Sequence, residues 1–235
     1  MKQQLKNWIP HSWKLKLKLL QRYADERKNN HSYPKEYISE NIGTHSIRLQ
    51  QIIKKGTFHQ NKIHNLKVVG NKINNLVIYP DEVFSFWKIT GKPSKKNNFK
   101  EGRNLIKNHI SSDIGGGICQ FSSILYYLAL QSGLKILERF PHSIDIYKEE
   151  ERFTPLGSDC TVVYGYKDLQ IQNIFPFPVQ LQCTITDDEL HLSLISAIEL
   201  GLQEIQFKYI ETEKGIWVET LSNSKTLFKN FYIRL

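Results

Sequence analysis

The apolar positions of this chain change period once. In the first half they mostly recur at three- and four-residue spacing, as on a helix with a buried face. In the second half they alternate, as on a strand. The densest helical run lies within residues 118–132, where Ile118, Phe121, Ile124, Leu125, Leu128 and Leu130 fall on more than one face and predict a buried helix. It follows three successive glycines, Gly115, Gly116 and Gly117, and ends at Gly133. Upstream, Leu66, Val69, Ile73, Leu76 and Val77 predict a helix over 60–78 interrupted at Gly70. Ile47, Ile52 and Ile53 predict another over 44–55, stopped by Gly56. Near the N-terminus Trp13, Leu17, Leu20 and Ala24 share a helix face that Leu15 and Leu19 widen, with Lys14, Lys16, Lys18 and Arg22 around the rest. VFSFWKITG (83–91) reads as extended, with Phe84, Phe86 and Trp87 in the core, and 97–102 reads as a polar loop.

After Gly133, LKILERFPHSIDIY reads as a strand, a break at Pro141 and a second extended piece. A charged loop, EEERFTPLGSD, follows. From Cys160 onward CTVVYGY, LQIQNI, VQLQCTI, ELHLSLI, IQFKYIET, GIWVETL and LFKNFYIRL alternate between turn residues. Lys167-Asp168 and Lys214-Gly215 are the expected hairpin tips. The fold class is therefore α+β: a helical N-terminal part and a buried Cys-bearing helix packed on an antiparallel sheet. The pattern divides the chain into a basic helical region, 1–59, and a domain with a C-terminal β extension, 60–235.

Composition adds modest constraints. The 235 residues carry a net charge of +9, which favours acidic partners such as anionic lipid head groups or phosphorylated molecules. No nucleic-acid-binding motif is present, and no nucleic acid is expected. Three scattered cysteines make neither a disulfide framework nor a CxxC zinc site, so no metal and no cofactor is expected. No apolar h-region and no apolar run of about 20 residues is visible, so the expected location is the cytoplasm, or the inner face of the membrane. A basic amphipathic helix with a tryptophan can lie on an anionic membrane, here through residues 13–28. The commoner arrangement, favoured at this point, packs such a helix on its own domain with its lysines in water.

The chemistry centres on Cys119. Triple glycine allows a tight turn with exposed N–H groups, and a thiol in the first turn of a helix has its pKa lowered by those groups and by the helix dipole. A cysteine nucleophile needs a base and a group that orients the base. His142 is the candidate base, and Asp145, Asp159 or Asp168 the candidate orienter. Gln120 or the glycine-turn N–H groups could form an oxyanion hole. The blander alternatives remain open: Cys119 as a buried hydrophobe, His142 as a turn residue, Asp168 as a hairpin cap, and Arg139 with His142 as an anion-binding pair without catalysis. Cys160 and Cys183, in alternating runs, read as buried filler.

The stretches IGGGICQFS, ERFPHSIDIY, YGYKDLQIQN and DEVFSFWKITGKPS, in that spacing, resemble the VanW family over about 60–190. The family positions map onto Gly115, Gly116, Gly117, Cys119, Gln120, Arg139, His142, Ser143, Asp168 and Asn173. Many members read DAT where this chain has Asp159-Cys160-Thr161, and the namesake's pattern lacks the acid of Asp159. The resemblance therefore moves weight from Asp159 to Asp168. It implies a bacterial accessory protein of cell-wall metabolism or glycopeptide resistance, and supplies no mechanism. The leading expectation is a pocket of Gly115, Gly116, Gly117, Gln120, Arg139 and Ser143 that binds a cell-wall precursor or related peptide. The alternative is a cysteine-dependent amidase, peptidase or acyl transferase with Cys119 as nucleophile and His142 as base.

Overall fold

A computed structural model describes residues 10–106, 109–145 and 154–234. The end of the second extended piece, at 146–147, and the first part of the charged loop lie outside the described residues.

The largest sheet has five strands. They are β1 (Glu36–Tyr37), β2 (His45–Ile52), β3 (Leu76–Ile78), β10 (Val179–Ile185) and β11 (Glu189–Ser196). Their order is β1-β3-β10-β11-β2, with every pair antiparallel. Its centre is the hairpin β10–β11, whose alternation puts Leu190, Leu192 and Leu194 fully inside. Two helices lie on this sheet: α2 (His59–Ile73) and α4 (Cys119–Ser132). Between them in the chain come β4 (Val83–Ser85), the short α3 (Phe86–Thr90), and the hairpin of β5 (Glu101–Ile106) with β6 (His109–Ile114). A three-stranded sheet, β4-β9-β7, adds β7 (Lys135–Glu138) and β9 (Gln170–Gln172).

The last sheet joins β12 (Ile205–Thr212), β13 (Gly215–Ser222) and β14 (Lys225–Arg234) as a meander. The short β8 (Ile144–Asp145) adds to it parallel to β14. A second small core of Leu156, Ile216, Val218 and Tyr232 sits beneath this sheet.

The α+β class holds, and α4 is buried as its pattern predicts, with Phe121, Ile124 and Leu128 at 0% exposure. Each such side chain contributes about 1.5–3 kcal/mol on leaving water. Several local expectations need correction. Residues 45–52 form a strand, not a helix. Ile47 and Leu49 turn inward and Gln51 is buried between neighbours that face water, because β11 offers an eight-residue partner in continuous register. The helix over 60–78 runs unbroken through Gly70 and stops at Ile73. A Cβ at Gly70 would come within 2.4 Å of Ile185 Cδ1, so the glycine permits close helix–sheet approach. The extended reading of 83–91 fails after Ser85, whose Oγ accepts the Lys88 N–H at 3.3 Å and caps α3. Residues 160–166 form no strand of their own, only a bridge between Val163 and Lys167, so the turn lies at 164–166. Glu213-Lys214 forms the last tip but one, with Gly215 opening β13.

The N-terminal helix, α1 (His11–Lys28), docks on the body through Leu15, Leu19, Arg22 and Glu26. The expected single apolar face is split in two, because Trp13, Leu17 and Leu20 point into solvent. No helix among the described residues is long and apolar enough to cross a membrane.

Candidate functional site

The site starts from the glycine turn. Gly115 and Gly117 have φ values of +86° and +91°, which disfavour any residue with a Cβ. Gly116 packs its Cα against Gly102, where a Cβ would meet backbone at 2.1 Å. The aliphatic stem of Lys62 lies against Gly117, within 2.7 Å of an added Cβ. The turn delivers Cys119 as the first residue of α4. Among the described residues, no backbone carbonyl accepts the N–H of Gly117, Ile118 or Cys119.

Two hydroxyls in the next positions of α4 then fix the neighbouring segment. Ser123 Oγ accepts the Cys160 N–H at 2.9 Å, and Ser122 Oγ–H donates to the Cys160 carbonyl at 2.7 Å. The Thr161 N–H donates to the Phe140 carbonyl at 2.8 Å. Both backbone groups of Cys160, the Thr161 N–H and the Asp159 carbonyl are therefore taken by α4 and by the chain after β7 rather than by a neighbouring strand. This lock sets Thr161 Oγ1 at 3.8 Å from Cys119 Sγ and brings Asp159 under His142.

Asp159 is the hub. Its Oδ2 accepts both the His142 main-chain N–H at 2.6 Å and Nδ1–H at 2.8 Å. Its Oδ1 accepts the Tyr232 hydroxyl at 2.6 Å and Arg139 Nη2–H at 3.0 Å. The Arg139 side chain is 1% exposed and donates further to the Asp159 and Gly157 carbonyls, at 2.7 and 2.9 Å, and to Asn230 Oδ1. Its guanidinium also lies 4.7 Å from the centre of the Tyr126 ring.

With Nδ1 held by Asp159, the other imidazole nitrogen is left for the sulfur. Burial pushes the Cys119 thiol up, but hydrogen bonding and charge from His142, aided by the Val162 N–H and Thr161, bring it below its ordinary value. Burial lowers His142, and the Asp159 carboxylate and the sulfur more than reverse this, raising it to about 10. Burial would raise Asp159, but His142 and Arg139 hold it well below the usual carboxylate range. The other two cysteines behave oppositely: burial raises Cys160, and it pushes Cys183 up to about 12.

The remaining sequence candidates are placed as follows. Asp168 does not face His142. It accepts Ser85 Oγ–H at 2.6 Å, the Trp87 N–H at 3.1 Å and the Leu169 N–H at 2.9 Å, and burial raises it to about 6. It anchors the start of α3, and the carboxylate in contact with His142 is Asp159. Asp145 lies in β8, opposite Arg234 in register. Arg139 is a buried brace for Asp159 rather than an open anion-binding cation. Gln120 Nε2–H donates to the Ile52 carbonyl at 2.9 Å, so that donor serves β2. Ser143 is exposed, and its carbonyl accepts the Ile233 N–H at 3.0 Å. Asn173 ties its turn to the Ile78 and Phe177 carbonyls. Thr161, Asn230 and Tyr232 join the site without a sequence signal. Nothing in a strand-like C-terminal run marks Tyr232 as a donor to a carboxylate some seventy residues earlier in the chain, or Asn230 as an acceptor for the arginine beside that carboxylate. Among the described residues no group of His, Cys, Asp and Glu could hold a metal ion.

The structure thus brings together a partly exposed cysteine at a helix N-terminus, an imidazole and the carboxylate that holds that imidazole. Residues 61–195, over half the chain, match the family model described as "VanW like protein", and the chain belongs to the VanW family. It is 30% identical over 133 residues to the vancomycin B-type resistance protein VanW of Enterococcus faecalis, covering 57% of this chain and 48% of that protein. It is 28% identical over 169 residues to the uncharacterized protein YoaR of Bacillus subtilis, covering 70% of this chain and 53% of that one. The chain thus spans about half the length of these curated relatives. No solved structure matches it.

Proposed function

We propose that this chain is a cysteine-dependent hydrolase or acyl transferase acting on amide or ester bonds of peptidoglycan-related peptides, in cell-wall metabolism or glycopeptide resistance. One observation carries the chemistry: Asp159 holds His142 Nδ1 at 2.8 Å while the imidazole lowers the Cys119 thiol. The biological setting rests on the relative named as a vancomycin B-type resistance protein.

In this reading the Cys119 thiolate attacks a carbonyl carbon and forms a C–S bond. The carbonyl oxygen takes the negative charge, facing the N–H groups at the start of α4. His142 passes its proton to the leaving amine or alcohol as the C–N or C–O bond breaks, giving a thioester. Water or an acceptor amine then gives a proton to His142 and attacks the thioester, and the thiolate is regenerated. Asp159 keeps its charge throughout and fixes the ring.

The test is capture of the thioester. A muropeptide digest is mixed with the protein, quenched in acid and read by mass spectrometry of the Cys119 peptide. An acyl adduct on Cys119, lost in His142→Ala, is expected. An unmodified Cys119 whose alkylation at neutral pH is slow and indifferent to His142→Ala would sink the enzyme reading and leave a ligand-contacting cysteine.

A further inference from the structure

The helix α1 carries two faces with different employment. One is clamped to the body. Arg22 makes a two-pronged pair with Glu138 at 2.9 and 2.5 Å and donates from Nε to the Gly165 carbonyl at 3.2 Å. Glu26 pairs with Lys88 at 2.8 Å, and Leu15 packs on Gly165. These contacts sit on one side of the helix and fix its rotation. The opposite side therefore faces solvent by construction, and its centre is apolar: Trp13 is 62% exposed, Leu17 55% and Leu20 64%. On a helical wheel Lys16 and Arg27 flank this stripe on one side and Lys14 and Lys28 on the other. Lysines would suffice to keep a surface helix in water; here a tryptophan, with the Lys16 ammonium 5.9 Å from its ring centre, and two leucines are left outside at a cost.

We infer that the outer face of α1 docks the protein on an anionic lipid surface. The apolar centre would enter the boundary between head groups and acyl chains while the flanking cations meet lipid phosphates. Charge complementarity selects this occupant. A second copy would set the same basic flanks against each other across a two-fold contact. The overall charge of +9 acts in the same direction as the helix. The clamp residue Glu138 directly precedes Arg139, so one strand end holds both the docking helix and the brace of Asp159.

The experiment uses the full chain and large vesicles of phosphatidylcholine, with and without an equal part of phosphatidylglycerol, in a sedimentation assay. Binding to the anionic vesicles alone is expected, falling steeply when salt is raised to roughly 0.5 M. The variant Trp13→Ser/Leu17→Ser/Leu20→Ser removes only solvent-facing side chains, so its melting curve should match the parent. Its partition onto anionic vesicles should drop by roughly 100-fold. Lys16→Glu/Arg27→Glu/Lys28→Glu should also abolish sedimentation. No sedimentation of the parent, equal binding to neutral vesicles, or undiminished binding of the serine variant would each overturn the inference. So would a dimer in lipid-free solution that the serine variant disperses, because the stripe would then belong to a second copy.

Discussion

Replacing Asp159 by asparagine separates what the carboxylate does for the fold from what it does for the thiol. Both its oxygens accept hydrogen bonds: His142 N–H and Nδ1–H donate on one side, the Tyr232 hydroxyl and Arg139 on the other. An amide has one accepting and one donating end. Turned toward His142 its NH2 would meet two N–H donors, and turned the other way it would meet the Arg139 guanidinium and compete with it for the Tyr232 oxygen. The substitution also leaves the buried Arg139 guanidinium without its counter-charge. Breaking a buried pair by removing one partner costs about 3–5 kcal/mol. In a chain of this size that corresponds to a fall in Tm of roughly 6–20 °C. The imidazolium loses its carboxylate as well, so less thiolate forms at neutral pH, and iodoacetamide labelling of Cys119 should slow by roughly tenfold or more. The assay is labelling rate against pH, beside a thermal melt, with Cys160 and Cys183 replaced by serine. An unchanged melt and unchanged labelling would refute the hub geometry. A lowered melt with unchanged labelling would make Asp159 a structural residue only.

Asp168→Asn is the matched control. It should leave Cys119 labelling unchanged and remove one component of the pH dependence: the folded-state value of about 6 lies above the unfolded one, so the contribution of Asp168 to stability falls as pH rises from about 4 to 6, and the difference between wild type and variant should shift by that amount across this window. His142 is raised to about 10, so its contribution is fully present below about 6.5 and lost as pH rises through 10. The lowered Cys119 thiol has the opposite slope below its unfolded value. Cys119→Ala should therefore lose stability more steeply than wild type above about pH 6.5, as followed by melting temperature. Gly117→Ala forces a Cβ onto the Lys62 stem at a φ of +91°, and a loss of about 1–3 kcal/mol in denaturant unfolding is expected.

The parts of this molecule that are legible in its sequence are those governed by local period. The buried helix α4 and the strands β10 to β14 follow from spacing alone, since their apolar positions have one geometry that hides them. Residues 45–52 mislead because isoleucines five and six apart fit a helix as well as a strand, and only β11, far along the chain, settles the matter. The same limit governs the site. Cys119 and His142 carry local signals: a glycine turn, and a histidine after a proline break. The choice between Asp159 and Asp168 carries none, because it depends on two serines of α4 capturing the Cys160 backbone. Arg139 reads as a ligand-binding cation for the same reason; its acceptors come from residues 157, 159 and 230.

The order in which the site's parts are synthesised has a consequence for the nascent chain. The thiol at 119 is made first, then the imidazole at 142, the carboxylate at 159 and finally the braces at 230 and 232. Until β14 pairs with β13 and β8, Arg139 and Asp159 lack two of the groups that hold them in line. On the proposed reading, the Cys119 thiol should therefore reach its full reactivity only once the last sheet is complete. A chain stopped at residue 224 should accordingly alkylate at Cys119 no faster than the Asp159→Asn variant.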